Sequence, residues 1–201
     1  MSTNTPVAEP QPTPAKKNYF APKRIARIAI LVALSAVGAF IKLPSPTGTV
    51  ALDSAPGFVA AAAFGPGEGS IVGALGHMFS ALITGFPLGL PVHLLVAAAT
   101  IVWVGAFGWV ARKVNIWVAI PVGIILNGVG GAALLIPIYG VGIFATLLVP
   151  LLVGSAINIV IAVAVVKVLD ATGLSGKPRK GKKAKGDLLV APTDKPTEPA
   201  A

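Results

Sequence analysis

The chain contains no cysteine. Disulfides, thiolate metal sites and thiol nucleophiles are thereby excluded. Charge is nearly as scarce. Only 11% of the 201 residues are charged, 55% are hydrophobic, and mean hydropathy is +0.84. A water-exposed surface needs more charge than this. From Ile28 to Val166 the only charged side chains are Lys42, Asp53, Glu68, Arg112 and Lys113. Long uncharged runs are what a hydrocarbon solvent demands, so the sequence specifies an all-α, multi-pass membrane protein. Further absences narrow the function. No G-x-x-x-x-G-K-[ST] loop is present, so the chain is not expected to hold ATP in the P-loop manner. GPGEG at 65–69 and NGVGG at 127–131 follow no strand and read as a turn and a packing face. No G-x-S-x-G elbow marks a nucleophile, so a hydrolase is not expected.

What is present has a clear layout. Residues 1–20 and 175–201 are poor in apolar residues and rich in Pro, Lys, Thr and Ala, as disordered tails are. The first 20 residues lack the apolar core of a signal peptide, so the first helix is expected to insert uncleaved. A membrane domain of residues 21–174 holds six apolar segments, at about 23–42, 52–64, 68–84, 92–112, 116–136 and 146–170. The second is too short to span unaided, since a span takes about 20 residues. It is expected to lie tilted and partly buried in protein, or to use the preceding loop. Basic residues set the orientation. Lys16, Lys17, Lys23, Arg24 and Arg27 precede the first segment, Arg112 and Lys113 separate the fourth and fifth, and Lys167 leads into the tail. Six crossings place all three clusters, and both termini, in the cytoplasm. The outer loops, 43–51, 85–91 and 137–145, then carry no charge at all. The net charge of +9 is concentrated in Lys177, Arg179, Lys180, Lys182, Lys183 and Lys185. A basic run there points to anionic lipid rather than nucleic acid.

Three ionisable residues stand out. His77 lies about ten residues into the third segment, and Gly73, Ser80 and Thr84 share its helix face. His93 and Asp53 open the fourth and second segments at the outer boundary. Three readings fit these positions. In the first, Asp53 or Ser54 caps the second helix and His93 anchors at the interface. In the second, the three form a polar cup for a small polar ligand, because ionisable groups at membrane depth face a cavity. In the third, two histidines and one aspartate hold a metal, although their spacing is unlike an i, i+4 pair and no fourth ligand is evident. Asn127 and Asn158 each sit between small residues at i, i+4, i+8, in Gly123-x3-Asn127-x3-Gly131 and Gly154-x3-Asn158-x3-Ala162. Such a line lets helices approach closely and offers an amide for bonding. Ala29-x3-Ala33, extended by Ala26 and Ala36, is another small-residue face. Glu68 suits the first turn of its helix through the dipole. Trp103, Trp109 and Trp117 are expected at the inner interface or against lipid.

These residues resemble the S components of energy-coupling factor (ECF) transporters over about residues 23–170. The likeness rests on six short helices with both ends inside, ARIAILVALSAVGA at 26–39, LPSPTGTVALDSAPGF at 43–58 and GPGEGSIVGALGH at 65–77. GALGHMFSALITGFPLGLPVHLL looks most like S components assigned to cobalamin precursors, the α-ribazole type. Met1-Ser2 departs from the cobalt branch, in which a histidine follows the starting methionine. The resemblance implies a vitamin-like ligand bound from outside the cell membrane. It implies docking through Ala29 and Ala33 on a transmembrane T protein driven by two ATPases, with inward release. By depth, Asp53, His77, His93, Asn127 and Asn158 are the candidate ligand contacts, and no metal or cofactor is implied. Two other classes remain open: a solitary proton-coupled carrier and a structural membrane scaffold.

Overall fold

The computed structural model describes residues 21–45 and 50–176. Of the two expected tails, only Ser175 and Gly176 fall among the described residues. The described chain forms six helical segments: α1 (Pro22–Gly38), α2 (Ala55–Ala63), α3 (Pro66–Ile83), α4 (Leu90–Lys113), α5 (Ile116–Tyr139) and α6 (Val141–Thr172). Three of them, α4, α5 and α6, are long and apolar enough to cross a membrane.

Local chemistry sets most of the boundaries. Prolines open α1, α2, α3 and α4 within their first two positions, where a missing N–H costs nothing. Asn115 caps α5 by accepting from Trp117 N at 2.8 Å. Gly173 ends α6 in the left-handed conformation that glycine adopts without penalty. Within α5, a π turn at Ile125–Val129 interrupts the regular helix.

The α2 helix is the buried centre. Its nine residues would rise only about 14 Å, far short of a membrane core. It is enclosed by α1, α3, α4 and α6. Phe58 and Ala60 to Ala63 are wholly buried, and Phe58 meets Phe107 of α4 edge to face at 4.9 Å. Close approach explains the small residues. A Cβ on Gly69 of α3 would fall 2.5 Å from Ala61 Cα, and one on Gly108 of α4 would fall 2.7 Å from Ala61 Cβ.

Two boundaries differ from the sequence expectation. The outer loop expected at 137–145 is a reversal at Gly140 alone, with φ 79°. The sixth helix therefore starts at Val141 rather than near 146. The surrounding residues are apolar, so nothing in polarity separates helix from turn, and only the glycine breaks the chain. The expected Asp53 or Ser54 cap on α2 is also not made. Ser54 Oγ donates to Asp53 Oδ1 at 3.1 Å, and the first N–H of α2, on Ala55, goes to Asn158 Oδ1 at 2.8 Å.

Most of the charge gathers at one end of the bundle, Lys42 and Asp53 being at the other. Glu68 accepts from Arg24 Nε at 3.1 Å and from Arg27 through both Nε and a terminal nitrogen, at 2.7–2.9 Å. The Arg27 guanidinium lies 4.0 Å over the Phe64 ring. Arg112 donates to the carbonyls of Ala62 and Ala63, closing the C-terminus of α2, and Gly176 N also bonds Ala63 O. Lys167 sits 4.2 Å over Trp117. By the positive-inside bias this end is cytoplasmic. Glu68 thus does more than suit a helix dipole: it clamps α3 to α1.

A polar cavity in the outer half of the bundle

At the opposite end the helices close around a cavity of about 100 Å³, room for several water molecules. Asp53, His77, His93, Asn127 and Asn158 all line it. The elements deliver them differently. His77 comes from α3, six residues below its outer end, and His93 from the first turn of α4. Asp53 enters from the connection ahead of α2, Asn127 from the π turn of α5, and Asn158 from α6. A π turn re-aims side chains out of the regular register and often marks functional positions.

Each polar group has a distinct bonding state. His93 Nδ1 and His77 Nε2 lie 3.2 Å apart. His93 is only 3% exposed, and its other nitrogen, Nε2, is buried with no partner among the described residues. Phe86 packs edge-on against the His93 ring at 5.7 Å. Phe86 holds this place at φ 51°, a left-handed conformation that costs a bulky residue energy and is kept by its surroundings. Asn127 Nδ2 donates to Ser155 Oγ at 2.9 Å, and among the described residues nothing pairs with its Oδ1. Asn158 is the opposite case. It donates to Ala51 O at 3.0 Å and Gly154 O at 2.9 Å, and accepts from Ala55 N. Its amide is largely taken up in pinning the α1–α2 connection to α6. Asp53 is 8% exposed. It lies outside the helices, and burial pushes its carboxyl above the usual carboxylate range, against the pull of hydrogen bonds with Ser80 and Ser54.

Several lining residues do not stand out in the sequence. Trp103, expected at the inner interface or against lipid, instead lines the cavity with Thr100 and Val96. The other two tryptophans match that expectation better, Trp109 being 56% and Trp117 60% exposed. The missed signal is one of spacing: His93, Val96, Thr100 and Trp103 follow at i, i+3, i+7 and i+10, one helix face. On α6, Leu147, Leu151, Gly154, Ser155 and Asn158 repeat the pattern. Thr100 bonds its own helix through Val96 O.

No group of three or more potential metal ligands occurs among the described residues. The two facing histidine nitrogens are close enough to share one proton.

A second concavity lies on the flank. It is almost wholly apolar and runs between α1 and α3, lined by Ile25, Ile28, Ala29, Val32, Ala33, Ala36, Leu75 and Phe79. Ala29 and Ala33 are both exposed there.

The fold and site define a multi-pass helical membrane protein built around a polar cavity in its outer half. Its family follows from comparison with known proteins. The family model for the substrate-specific component of ECF transporters matches residues 23–169, and the chain belongs to that family. By kinship it is a transport subunit. Neither the curated proteins nor the solved structures returned a match.

Proposed function

We propose that this chain captures a vitamin or vitamin precursor from outside the cell membrane and passes it inward by docking on a transmembrane T protein energised by two ATPases. The observation that carries the reading is the cavity itself. It gathers eight polar side chains, Ser54, Thr100 and Ser155 beside the five candidates, and among the described residues leaves His93 Nε2 buried without a partner, a cost that a ligand would remove. The exposed apolar groove at Ala29 and Ala33, on a separate face, suits helix-to-helix docking with the T protein. As the particular ligand we propose a cobalamin precursor of the α-ribazole type, on the resemblance of residues 73–95.

Binding to the purified chain tests the site. Affinity for α-ribazole is expected to fall in His77→Ala and His93→Ala; unchanged affinity in both, with folding intact, overturns the assignment. Uptake tests the energy source. An S component transports only with its ATPase partners, whereas a proton-coupled carrier works without them and stops when the pH gradient collapses. A scaffold would retain no small molecule on purification.

A further inference from the structure

The cavity wall has a charge signature that bears on which ligands it admits. Among its lining residues there is no lysine or arginine; the ionisable members are Asp53, His77 and His93. Lys42, the nearest cation in sequence, is exposed and is not part of the wall; its charge reaches Asp53 only as the weakest of the influences on that carboxyl. Residues 46–49, Pro-Thr-Gly-Thr, bring no ionisable side chain. The other cations whose contacts are described, Arg24, Arg27, Arg112 and Lys167, are engaged at the cytoplasmic end. The α2 N-terminus does not substitute for a cation. Its first N–H is taken by Asn158, and its second residue, Pro56, has none. An anionic group entering here would lose its water and meet a buried carboxyl instead of a counter-charge.

The histidine pair offers the opposite match. One proton lies between His93 Nδ1 and His77 Nε2 when both rings are neutral. If His93 supplies it, His93 Nε2 accepts from a ligand; if His77 supplies it, His93 Nε2 donates. A neutral ring nitrogen or hydroxyl is served either way. Around this polar edge the wall is apolar, with the Trp103 indole and Leu88, Leu135 and Leu147, a surface that favours a planar ring.

We infer that the cavity, widening from its present volume of about 100 Å³, takes an uncharged, ring-bearing ligand with a hydrogen-bonding nitrogen or oxygen on its edge, and excludes anionic forms of the same molecule. This rests on the reading of the cavity as the ligand site.

The test uses the purified full chain in lipid nanodiscs and isothermal titration with three sets of probes: α-ribazole, riboflavin and pyridoxine, each with its monophosphate and with the neutral dimethyl ester of that phosphate. The expected result is that at least one uncharged parent binds and its phosphate binds at least about 100-fold more weakly, as an uncompensated buried anion requires. The ester, uncharged and bulkier than the phosphate by two methyl groups, should recover most of the loss. A phosphate that binds as tightly as its parent overturns the inference while leaving the ligand site standing. An ester as weak as the phosphate overturns it too, because size and not charge would then be the filter. If no probe binds in any form, the vitamin-type reading of the cavity fails, and the inference with it.

Discussion

Asn158 reaches three backbone groups from one side chain: the carbonyls of Ala51 and Gly154 and the N–H of Ala55. Replacing it with alanine strands Ala51 O and Ala55 N in a buried place. Asn158→Ala is therefore expected to cost about 2–4 kcal/mol of stability, because an orphaned buried group loses its full desolvation penalty. Asn127 makes one described side-chain bond, to Ser155, so Asn127→Ala is expected to cost about 1 kcal/mol. Thermal unfolding of the two variants in the same detergent checks the order. Asp53 yields a pH prediction. Its folded pKa is raised above the ordinary carboxyl value of 3.8 because burial disfavours the charged form. The folded chain therefore binds the proton more tightly than the unfolded chain. Its stabilising effect is full below about 3.8 and is lost as pH rises through the higher folded value. An asparagine in its place does not titrate. Asp53→Asn is thus expected to flatten the fall in melting temperature on going from acid to neutral pH, and to match or exceed the native chain at pH 7. An unchanged slope would show that Asp53 is not the titrating group.

At the scale of elements, α2 decides how closely the bundle can pack. A Cβ at Gly69 would lie 2.3–2.6 Å from the Cβ, Cα and N of Ala61, and two of those atoms are backbone that cannot rotate away. Gly69→Ala is expected to force α2 and α3 apart at about 1–3 kcal/mol. Gly67, two residues earlier on the same helix, has open space within 4 Å of where a Cβ would stand, so Gly67→Ala should instead stabilise by about 0.5–1 kcal/mol through helix propensity. Melting temperatures moving in opposite directions would bear out this contrast. The same elements show what a sequence reveals. The shortness of α2 is legible because Pro46 and Gly65-Pro66 bracket it, and its burial follows from a span too short to cross. The reversal at Gly140 is not, because in an apolar chain loops and helices share one composition. Nor is the π turn, whose irregularity has no residue signature in ILNGV. For the cavity, His77, His93 and Asp53 draw notice as rare ionisable groups in an apolar field. Trp103 and Ser155 do not, being ordinary residues whose place becomes visible only when i, i+3, i+7 spacing is traced from a known lining residue. Asn158 is visible as a polar residue between small ones, but its bonds run to a connection more than 100 positions earlier in the chain, and no local pattern records such a partner.

The whole molecule separates three tasks in space. Ions gather at the cytoplasmic end, where Glu68 joins Arg24 and Arg27. Polar groups without fixed positive charge line the outer cavity. The flank between α1 and α3 presents an apolar groove that shares no residue with the cavity. This separation gives a prediction that a purely structural groove would fail. Ala29 and Ala33 are exposed and small, so enlarging them does not disturb the buried core, but it does hold a neighbouring helix away. In Ala29→Trp and Ala33→Trp, ligand affinity of the isolated chain is expected to stay within about threefold of native, since distant sites act independently. Uptake by the chain assembled with its ATPase module is expected to fall roughly tenfold or more, because association in lipid depends on close helix approach. The two quantities, measured on the same variants by titration and by accumulation of labelled ligand, separate docking from binding. Loss of both would place the groove in the folding of the cavity. Loss of neither would mean that the energising partner meets another face, and the exposed side chains of α1 would then have only lipid to contact.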